Sequence, residues 1–270
     1  MKSKKATAVG GGLLLSFAFL LSTFYFPSAS SGQEALTADE FRLLPLRMHL
    51  LRAKQAPALN CKLQETDARR ILGKVNGIWR QAGIQFYEES VRAEEAAAQE
   101  FFTGLGANRT EAHLRLVRPA ASRSDQMVHL YYVAEMGPNG ICLQSSPELL
   151  FIKDTARLNT VPGGIDEPLP RVSAHEIGHA LNLEHRQNTT NLMASGTTGT
   201  SLNETEITIA RKAAEGFAWD LSPAEALSRA HRFRDEKQSA PARGLYTALT
   251  GLPGGDIAKA AREALANLRN

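Results

Sequence analysis

Residues 175–185 read HEIGHALNLEH and place three histidines within eleven residues. In a helix, residues four apart are separated by about 400°, so His175 and His179 lie one above the other on the same face. Two imidazoles at this separation suit one metal ion, and the side chain of Glu176 would reach a water on that ion. The stretch therefore predicts a helix that presents a two-histidine metal site.

A third histidine follows at a distance that a continuous helix cannot use. His185 lies six residues after His179, and six helical steps turn by about 600°, which would leave it on nearly the opposite face. Asn182 stands where the helix must end, and asparagine tolerates the left-handed conformation that ends helices. The sequence therefore predicts a Zn²⁺ site with His175, His179 and His185 as ligands and Glu176 as general base, the H-E-x-x-H arrangement of zinc hydrolases.

This stretch resembles the signature of the metzincin clan of zinc endopeptidases, H-E-x-x-H-x-x-G-x-x-H followed by a methionine turn. Asn182 occupies the position of the family's glycine, and Met193 would be the turn methionine, forming an apolar floor under the zinc. The eight-residue step from His185 to Met193 is similar to that of the matrixin-like branch. Ser195 stands where other branches have a tyrosine ligand. The resemblance implies an α+β fold over residues 40–220, a zincin-like metallopeptidase domain with a twisted mixed sheet and an active-site helix.

Three neutral imidazoles leave Zn²⁺ one open position, which is the catalytic type of site rather than the closed structural type. The predicted function is a zinc metalloendopeptidase that hydrolyses peptide bonds by a zinc-activated water, with Glu176 as the general base. Two other functions stay open. One is a catalytically silent zinc-binding scaffold that binds a protein partner, against which the intact Glu176 argues. The other is a tethered interaction protein whose C-terminal helices, residues 223–270, bind a partner or a membrane surface.

A protease must also hold an extended protein or peptide substrate, and an exposed sheet edge does so by adding the peptide as another strand. By the resemblance, Leu149–Lys153 is expected to be that edge, running above the metal. The loop Ala194–Leu202 would wall the pocket beside the scissile bond. Its small residues are equally typical of a plain flexible connection.

The N-terminus has the pattern of a secretory signal. Three lysines among the first five residues precede an uncharged stretch with an apolar run over residues 13–26, and small residues follow around Ala29. We therefore expect residues 1–30 to be a cleaved signal peptide and the mature protein to be secreted or periplasmic, with no stable membrane span. A retained anchor is the alternative, although the apolar run is short for one. Without those lysines, 31 − 3 = 28 basic side chains stand against 28 acidic ones, so composition gives no support for a nucleic-acid partner.

Only two cysteines occur, Cys61 and Cys142, and both lie in the part that would be exported. In an oxidising compartment a disulfide between them is the expected state, with free thiols as the alternative. Cys61 could also cap the metal as a thiolate and keep the enzyme latent. Of these states, we predict the disulfide.

Hydrophobic patterning predicts the elements around the motif. The predicted strands are Leu46–Leu51, Ile84–Glu89, Val128–Val133 and Glu148–Lys153. The predicted helices are Gln64–Gln81 with Thr66 as N-cap, an alanine-rich insertion at 91–117, two helices capped by Asn203 and Ser222, and Asp256–Arg269. A catalytic domain of residues 31–220 would thus carry a C-terminal helical extension, residues 221–270. The lone histidines are expected to be surface or satisfied core residues, namely His49, His113, His129 and His231.

Overall fold

The computed structural model describes residues 36–103 and 111–268, so the predicted signal peptide lies outside the described residues. The strands are β1 (Arg42–Arg52), β2 (Ile84–Glu95), β3 (Val128–Val133), β4 (Gly140–Cys142) and β5 (Leu149–Lys153). The helices are α1 (Glu65–Trp79), α2 (Glu111–Leu116), α3 (Pro168–Ala180), α4 (Glu204–Glu215), α5 (Pro223–Asp235), α6 (Ser239–Thr250) and α7 (Asp256–Asn267). Within these two ranges, no helix is long and apolar enough to cross a membrane.

The strands form one mixed sheet in the order β2-β1-β3-β5-β4. Neighbours among β2, β1, β3 and β5 are parallel, whereas β4 is antiparallel to β5. Parallel neighbours need a crossover connection, and α1 supplies it between β1 and β2. The predicted architecture is confirmed: the chain is α+β, with a mixed sheet, the motif on helix α3, and C-terminal helices.

Strand β1 is buried on both faces. On one of these faces it shares an apolar core with helix α3. Leu46, Met48 and Leu50 face an apolar cluster that they share with α1, α3 and α4. On the opposite face, Leu51 belongs to a second cluster with Phe151 of β5. A nearly continuous apolar strand is typical of parallel sheets that are covered on both sides.

The C-terminal helices cover the β2 end of the sheet. Gly244 of α6 lies against the carbonyl oxygen of Glu88 on β2, so closely that a Cβ on Gly244 would overlap that oxygen. Leu245 and Tyr246 of the same helix pack with Leu43 of β1 and with α5 in a third apolar cluster. Covering protects one sheet edge from pairing with other chains. The opposite edge is β4, whose residues are only half-buried.

Strand β2 and helix α1 differ in their bounds from the sequence prediction, β1 begins earlier than predicted, at Arg42, and β4 and α6 are not among the predicted elements. Strand β2 runs on to Glu95, so residues 91–95 are strand rather than part of a helical insertion, because they pair with β1 as far as Arg52. In the described part of that insertion, α2 is the one α-helix, and Gln99–Phe102 form a short 3₁₀ helix. Helix α1 is also capped earlier than predicted. Gln64 rather than Thr66 is the N-cap, since the Asp67 carboxylate accepts the backbone N–H of Gln64 at 2.9 Å.

The predicted disulfide is wrong, because Cys61 and Cys142 are both free thiols. Cys61 lies near the end of β5, where the N–H of the next residue, Lys62, donates to the Asp154 carboxylate. Cys142 pairs with Leu150, four residues before Asp154. Four residues of strand span about 13 Å, well beyond the roughly 7 Å Cα separation that a disulfide tolerates. Each thiol is instead shielded by apolar neighbours, and burial raises the pKa of both to about 12.

Candidate active site

The three histidines of the motif meet at one point. His175 and His179 lie one turn apart on α3, and His185 returns to them after the helix has ended. The Nε2 atom of His185 is 3.3 Å from Nε2 of His175 and 3.2 Å from Nε2 of His179. No other group of three or more His, Cys, Asp or Glu side chains in residues 36–103 and 111–268 could hold a metal ion. Cys61 is not part of this cluster, so a Cys61 cap on the metal is not present in the fold.

The chain reverses after α3 because Asn182 adopts the left-handed conformation, with φ 64°. The N–H of Asn182 donates to the carbonyl of His179 at 3.0 Å, and the N–H of Leu183 donates to the carbonyl of Gly178 at 2.9 Å. These two bonds form a Schellman motif, the common way to end a helix with one left-handed residue. The predicted break is confirmed, and it brings His185 back to the face of α3 that carries the other two histidines.

Backbone carbonyls determine which ring nitrogen each helical histidine presents. Nδ1 of His175 lies 2.8 Å from the carbonyl oxygen of Leu192, and Nδ1 of His179 lies 2.8 Å from that of Leu183. Each Nδ1 therefore carries the proton and donates it, which leaves Nε2 with a free lone pair. Burial lowers the pKa of His175 to about 3 and also lowers the pKa of His179, so both rings are neutral at physiological pH.

This arrangement fits a zinc ion. Zinc binds imidazole nitrogen at about 2.0–2.1 Å, and tetrahedral ligands at that distance are separated by about 3.3 Å. The two Nε2 separations to His185, 3.3 and 3.2 Å, match that spacing. The backbone carbonyls that accept from Nδ1 of His175 and His179 are the partners that zinc-binding histidines normally have.

Glu176 lies between α3 and the edge strand β4. Its side chain is buried, and a Cβ on Gly140 would come within 2.6 Å of Glu176 Oε1. Burial raises the pKa of Glu176 to about 8, whereas the charge of Arg171 and the backbone N–H of Cys142 act in the opposite direction. A cation held by the three imidazoles would also favour the charged carboxylate. Glu176 therefore lines the same cleft as the three histidines, on the side of the sheet edge.

The edge strand of the sheet is β4 and not, as expected, Leu149–Lys153. Those residues form β5, which is paired on one side with β3 and on the other with β4. Asn139 and Leu143, at the two ends of β4, make backbone hydrogen bonds to β5. Gly140 and Cys142 alternate with the residues that bond to β5, so their backbone N–H and C=O groups point away from β5. Only three residues long and embedded in a turn-rich stretch, β4 carries no strand signal in the sequence.

The loop Ala194–Leu202 is fixed in place and forms one wall of the cleft. The N–H of Asn159 donates to the carbonyl of Gly196 at 2.8 Å, and the N–H of Thr198 donates back to the carbonyl of Asn159 at 3.0 Å. This pairing joins the loop to the segment that leads into α3. Ser195 and Gly196 line the cleft opposite β4. The wall predicted for this loop is therefore present.

Arg171 is a residue of the site that the sequence prediction missed. It lies one turn before His175 on α3, and only 2 % of it is exposed. Its Nε donates to the carbonyl of Gly199 at 3.1 Å, and its Nη2 donates to the carbonyl of Ala194. Burial lowers its pKa to about 10, which still leaves it cationic at neutral pH. Arg171 thus holds the wall loop against α3. The sequence signal for Arg171 is its charge at a position four residues before His175, on the helix face that carries the histidines.

Met193 and three of the four lone histidines lie where the sequence predicted. Met193 is fully buried, and its sulfur lies against Gly178 on the underside of α3. His49 and His129 are buried and lie 2.8 Å apart through their ring nitrogens, and His231 lies 2.7 Å from the hydroxyl of Tyr246. These three histidines are satisfied by hydrogen bonds within the protein.

Comparisons with known proteins give structural matches only. No protein-family profile matches the chain, and no curated protein matches its sequence. One similar solved structure is the crystal structure of archaemetzincin from Methanopyrus kandleri, with a TM-score of 0.35 and 15% identity over 64% of this chain and 92% of that one. Another is a zinc-dependent peptidase from Methanocorpusculum labreanum strain Z, with a TM-score of 0.33 and 11% identity over 63% of this chain and 99% of that one.

The class of the site follows from its own geometry. A helix carries H-E-x-x-H, a left-handed residue ends that helix, and a third histidine completes a set of ligand atoms within 4.8 Å of one another. The site lies beside the antiparallel edge of a mixed sheet. The geometry of the site is that of a zinc-metallopeptidase-like protein.

Proposed function

We propose that this chain is an exported zinc endopeptidase of the metzincin kind, closest in motif spacing to the matrixin-like branch. The observation that carries the proposal is the convergence of three imidazole Nε2 atoms beside a buried glutamate. The Nε2 atom of His185 lies 3.3 Å from that of His175 and 3.2 Å from that of His179. A sheet edge forms one wall of the cleft that contains these atoms. A structural zinc site would need a fourth protein ligand, and the described residues offer none at this point.

His175, His179 and His185 would hold the zinc ion, each through Nε2. When bound, zinc supplies a Lewis acid that polarises a peptide carbonyl and makes a nearby water more acidic. The protein's contribution is to keep the rings of His175 and His179 neutral, which their burial does, and oriented, which the carbonyls of Leu192 and Leu183 do.

Glu176 would move the protons of the reaction. Its carboxylate takes a proton at Oε from the attacking water and then gives that proton to the departing amine. Burial between α3 and β4 excludes bulk water from this carboxylate and holds it on the cleft side. General acid–base catalysis of this type contributes about 10²- to 10⁴-fold to the rate.

The substrate peptide would bind as an added strand on β4. The outward backbone groups of Gly140 and the carbonyl of Cys142 supply the hydrogen bonds, since the N–H of Cys142 faces Glu176, and side-chain pockets supply the preference. Ile141 and Leu158 give the cleft apolar lining, and Ser195 and Gly196 form the opposite wall. An unfolded protein or flexible peptide is therefore the proposed substrate class.

Export is proposed from the N-terminal sequence alone, with its basic start, apolar run and small residues near Ala29. Sequencing the N-terminus of the protein recovered outside the cytoplasm tests this part separately. A mature N-terminus close to residue 31 is expected. Recovery of the uncut chain in membranes would instead favour a retained anchor.

Proteolysis of a mixed, unfolded protein substrate tests the proposed activity. We expect cleavage by the zinc-loaded chain, loss of cleavage with a chelator, and recovery when zinc is restored. His185→Ala is expected to lose both zinc binding and cleavage. Stoichiometric zinc binding by a folded protein without cleavage of any substrate would favour the alternative, a catalytically silent zinc-binding scaffold.

A further inference from the structure

Glu206, at the start of α4, lies outside the motif but contacts both ends of the loop that contains the third histidine. It is fully buried, with 0% exposure. Its Oε1 accepts from Nε of Arg186 at 2.7 Å, and its Oε2 accepts from Nδ2 of Asn191 at 2.7 Å. Arg186 directly follows His185, and Asn191 precedes the methionine turn by two residues.

The Arg186 end of this loop connects Glu206 to the third histidine. The Arg186 guanidinium is about one-third exposed, whereas the carboxylate that it meets is completely buried. A buried carboxylate costs free energy unless it is paired and hydrogen-bonded, so Glu206 holds its partners in a defined geometry. The backbone N–H of Arg186 also donates to the carbonyl of Met193 at 3.0 Å, which closes the loop. The backbone at His185 is thereby fixed from the next residue.

The Asn191 end connects Glu206 to the first histidine. While Nδ2 of Asn191 donates to Glu206, its Oδ1 accepts from the N–H of Met193 at 2.7 Å. The residue between them, Leu192, provides the carbonyl that holds Nδ1 of His175. One carboxylate therefore acts on two of the three histidines, through Arg186 on His185 and through Asn191 and Leu192 on His175.

We propose that Glu206 is a positioning residue for the metal site, which sets the geometry of His185 and His175 through the loop 186–193. This inference rests on the proposed function, since it takes these histidines as zinc ligands. The plain alternative is that Glu206 serves only the capping box of α4, because its carboxylate also accepts from the N–H of Asn203 at 2.9 Å.

The chain contains a matched control for the capping role. Glu225 occupies the same position in the capping box of α5, where its carboxylate accepts from the N–H of Ser222 at 2.8 Å. No hydrogen bond or ion pair links Glu225 to the loop 186–193 in the described part of the chain. Glu206→Gln is the main variant, because glutamine can still serve a capping box while the ion pair with Arg186 is lost. Glu206→Ala, Arg186→Gln and Glu225→Ala complete the set.

The experiment measures zinc affinity of the full chain by competition with a chromophoric chelator, and the visible spectrum of the cobalt-substituted protein. Outer-shell partners of metal ligands are typically worth 10- to 100-fold in metal affinity. We expect Glu206→Gln and Arg186→Gln to bind zinc about tenfold more weakly and to alter the cobalt spectrum. Glu206→Ala should lose about a hundredfold in affinity, and Glu225→Ala should change neither quantity.

The outcomes separate three cases. If the Glu206 and Arg186 variants keep the affinity and cobalt spectrum of the wild type and lose only thermal stability, as Glu225→Ala does, the positioning role is overturned and Glu206 is a cap. If Glu206→Ala does not fold, Glu206→Gln and Arg186→Gln still decide between these readings. If the wild type binds no zinc, or binds it equally well without His185, the proposed function itself fails and the positioning role fails with it.

Discussion

Gly140 lies in contact with Glu176: a Cβ on Gly140 would come within 2.6 Å of Oε1 and 2.7 Å of Cγ of that glutamate. The edge strand and the general base are therefore packed against each other without room for a methyl group. Real Cβ atoms do not approach other heavy atoms this closely, so either the strand or the carboxylate must move when a side chain is added.

Gly140→Ala is expected to lower kcat/KM by about a hundredfold, because misplacing a catalytic group by about 1 Å has an effect of that size. Zinc affinity should stay near that of the wild type, since the atoms nearest to the added Cβ belong to Glu176 and Val172 and not to a histidine. Peptide hydrolysis and zinc binding are measured on the same preparation. Gly73→Ala is the control, because nothing lies within 4 Å of a Cβ there and alanine favours the α1 helix. Equal activity of Gly140→Ala and the wild type would contradict the placement of the base.

Asn182 is expected to tolerate glycine but not alanine. Its φ of 64° costs most residues roughly 1–2 kcal/mol, and glycine avoids this cost. Asn182→Ala should lower the free energy of unfolding by about 1 kcal/mol and weaken zinc binding, because the reversal that returns His185 is strained. Asn182→Gly should retain both properties. Denaturant titration and zinc competition provide the measurements.

Lys237 offers the matched position for that prediction, since it has φ 60° in the turn between α5 and α6. Lys237→Gly should raise the free energy of unfolding by about 1 kcal/mol without any change in zinc affinity. A parallel change in zinc affinity for Lys237→Gly would show that general stability, rather than the local turn, controls the metal site.

Acid is expected to destabilise the protein through His129. Burial, together with the nearby His49, Arg47 and Arg118, lowers the pKa of His129 to about 4, against the opposing hydrogen bond with the Ser124 carbonyl. In the unfolded chain the pKa of a histidine is near 6.5, so the unfolded state binds a proton at pH values where the folded state does not. His129 therefore makes its full contribution to the free energy of unfolding above about pH 6.5. This contribution is lost as pH falls towards 4, by roughly 3 kcal/mol in total.

Comparing the wild type with His129→Gln isolates that contribution. Unfolding free energies of the zinc-free proteins are measured between pH 7 and pH 4, so that metal release does not enter. The wild type should lose more stability over this range than His129→Gln does. Identical pH profiles for the two proteins would mean that the buried histidine pair does not resist protonation.

Gly244→Ala is expected to destabilise the C-terminal helices without affecting the metal site. The added Cβ would overlap the Glu88 carbonyl of β2, so α6 would shift off the sheet, at a cost of about 1–3 kcal/mol. Gly254→Ala, where a Cβ meets nothing within 4 Å, is the control. Thermal unfolding reports the loss. Unchanged stability of Gly244→Ala would show that α6 does not depend on this contact with β2.

The metal site could be predicted from the sequence because its signals are local. The four-residue step from His175 to His179 and the helix break at Asn182 depend only on helix geometry and on one residue's backbone preference. The capping boxes of α4 and α5 were equally visible, since Asn203 and Ser222 each stand three residues before a glutamate. Strand β3 was predicted with its observed bounds, because β-branched and aromatic residues make up the run.

The features that could not be predicted from the sequence depend on contacts between distant segments. The edge strand β4 exists because Ile141 pairs with Phe151, and nothing in its three residues has a strand pattern. Helix α6 contains Pro241 and Gly244, which argue against a helix locally although packing on β2 stabilises one. The disulfide was inferred from compartment and cysteine count, whereas its absence follows from the places of the two cysteines in the sheet.

Glu176→Gln separates metal binding from catalysis when zinc content and peptide hydrolysis are measured on the same folded preparation. We expect one bound zinc ion per chain, as in the wild type, together with a loss of hydrolysis of about 10²- to 10⁴-fold. Hydrolysis at the rate of the wild type by zinc-loaded Glu176→Gln would contradict the role of Glu176 and the mechanism built on it.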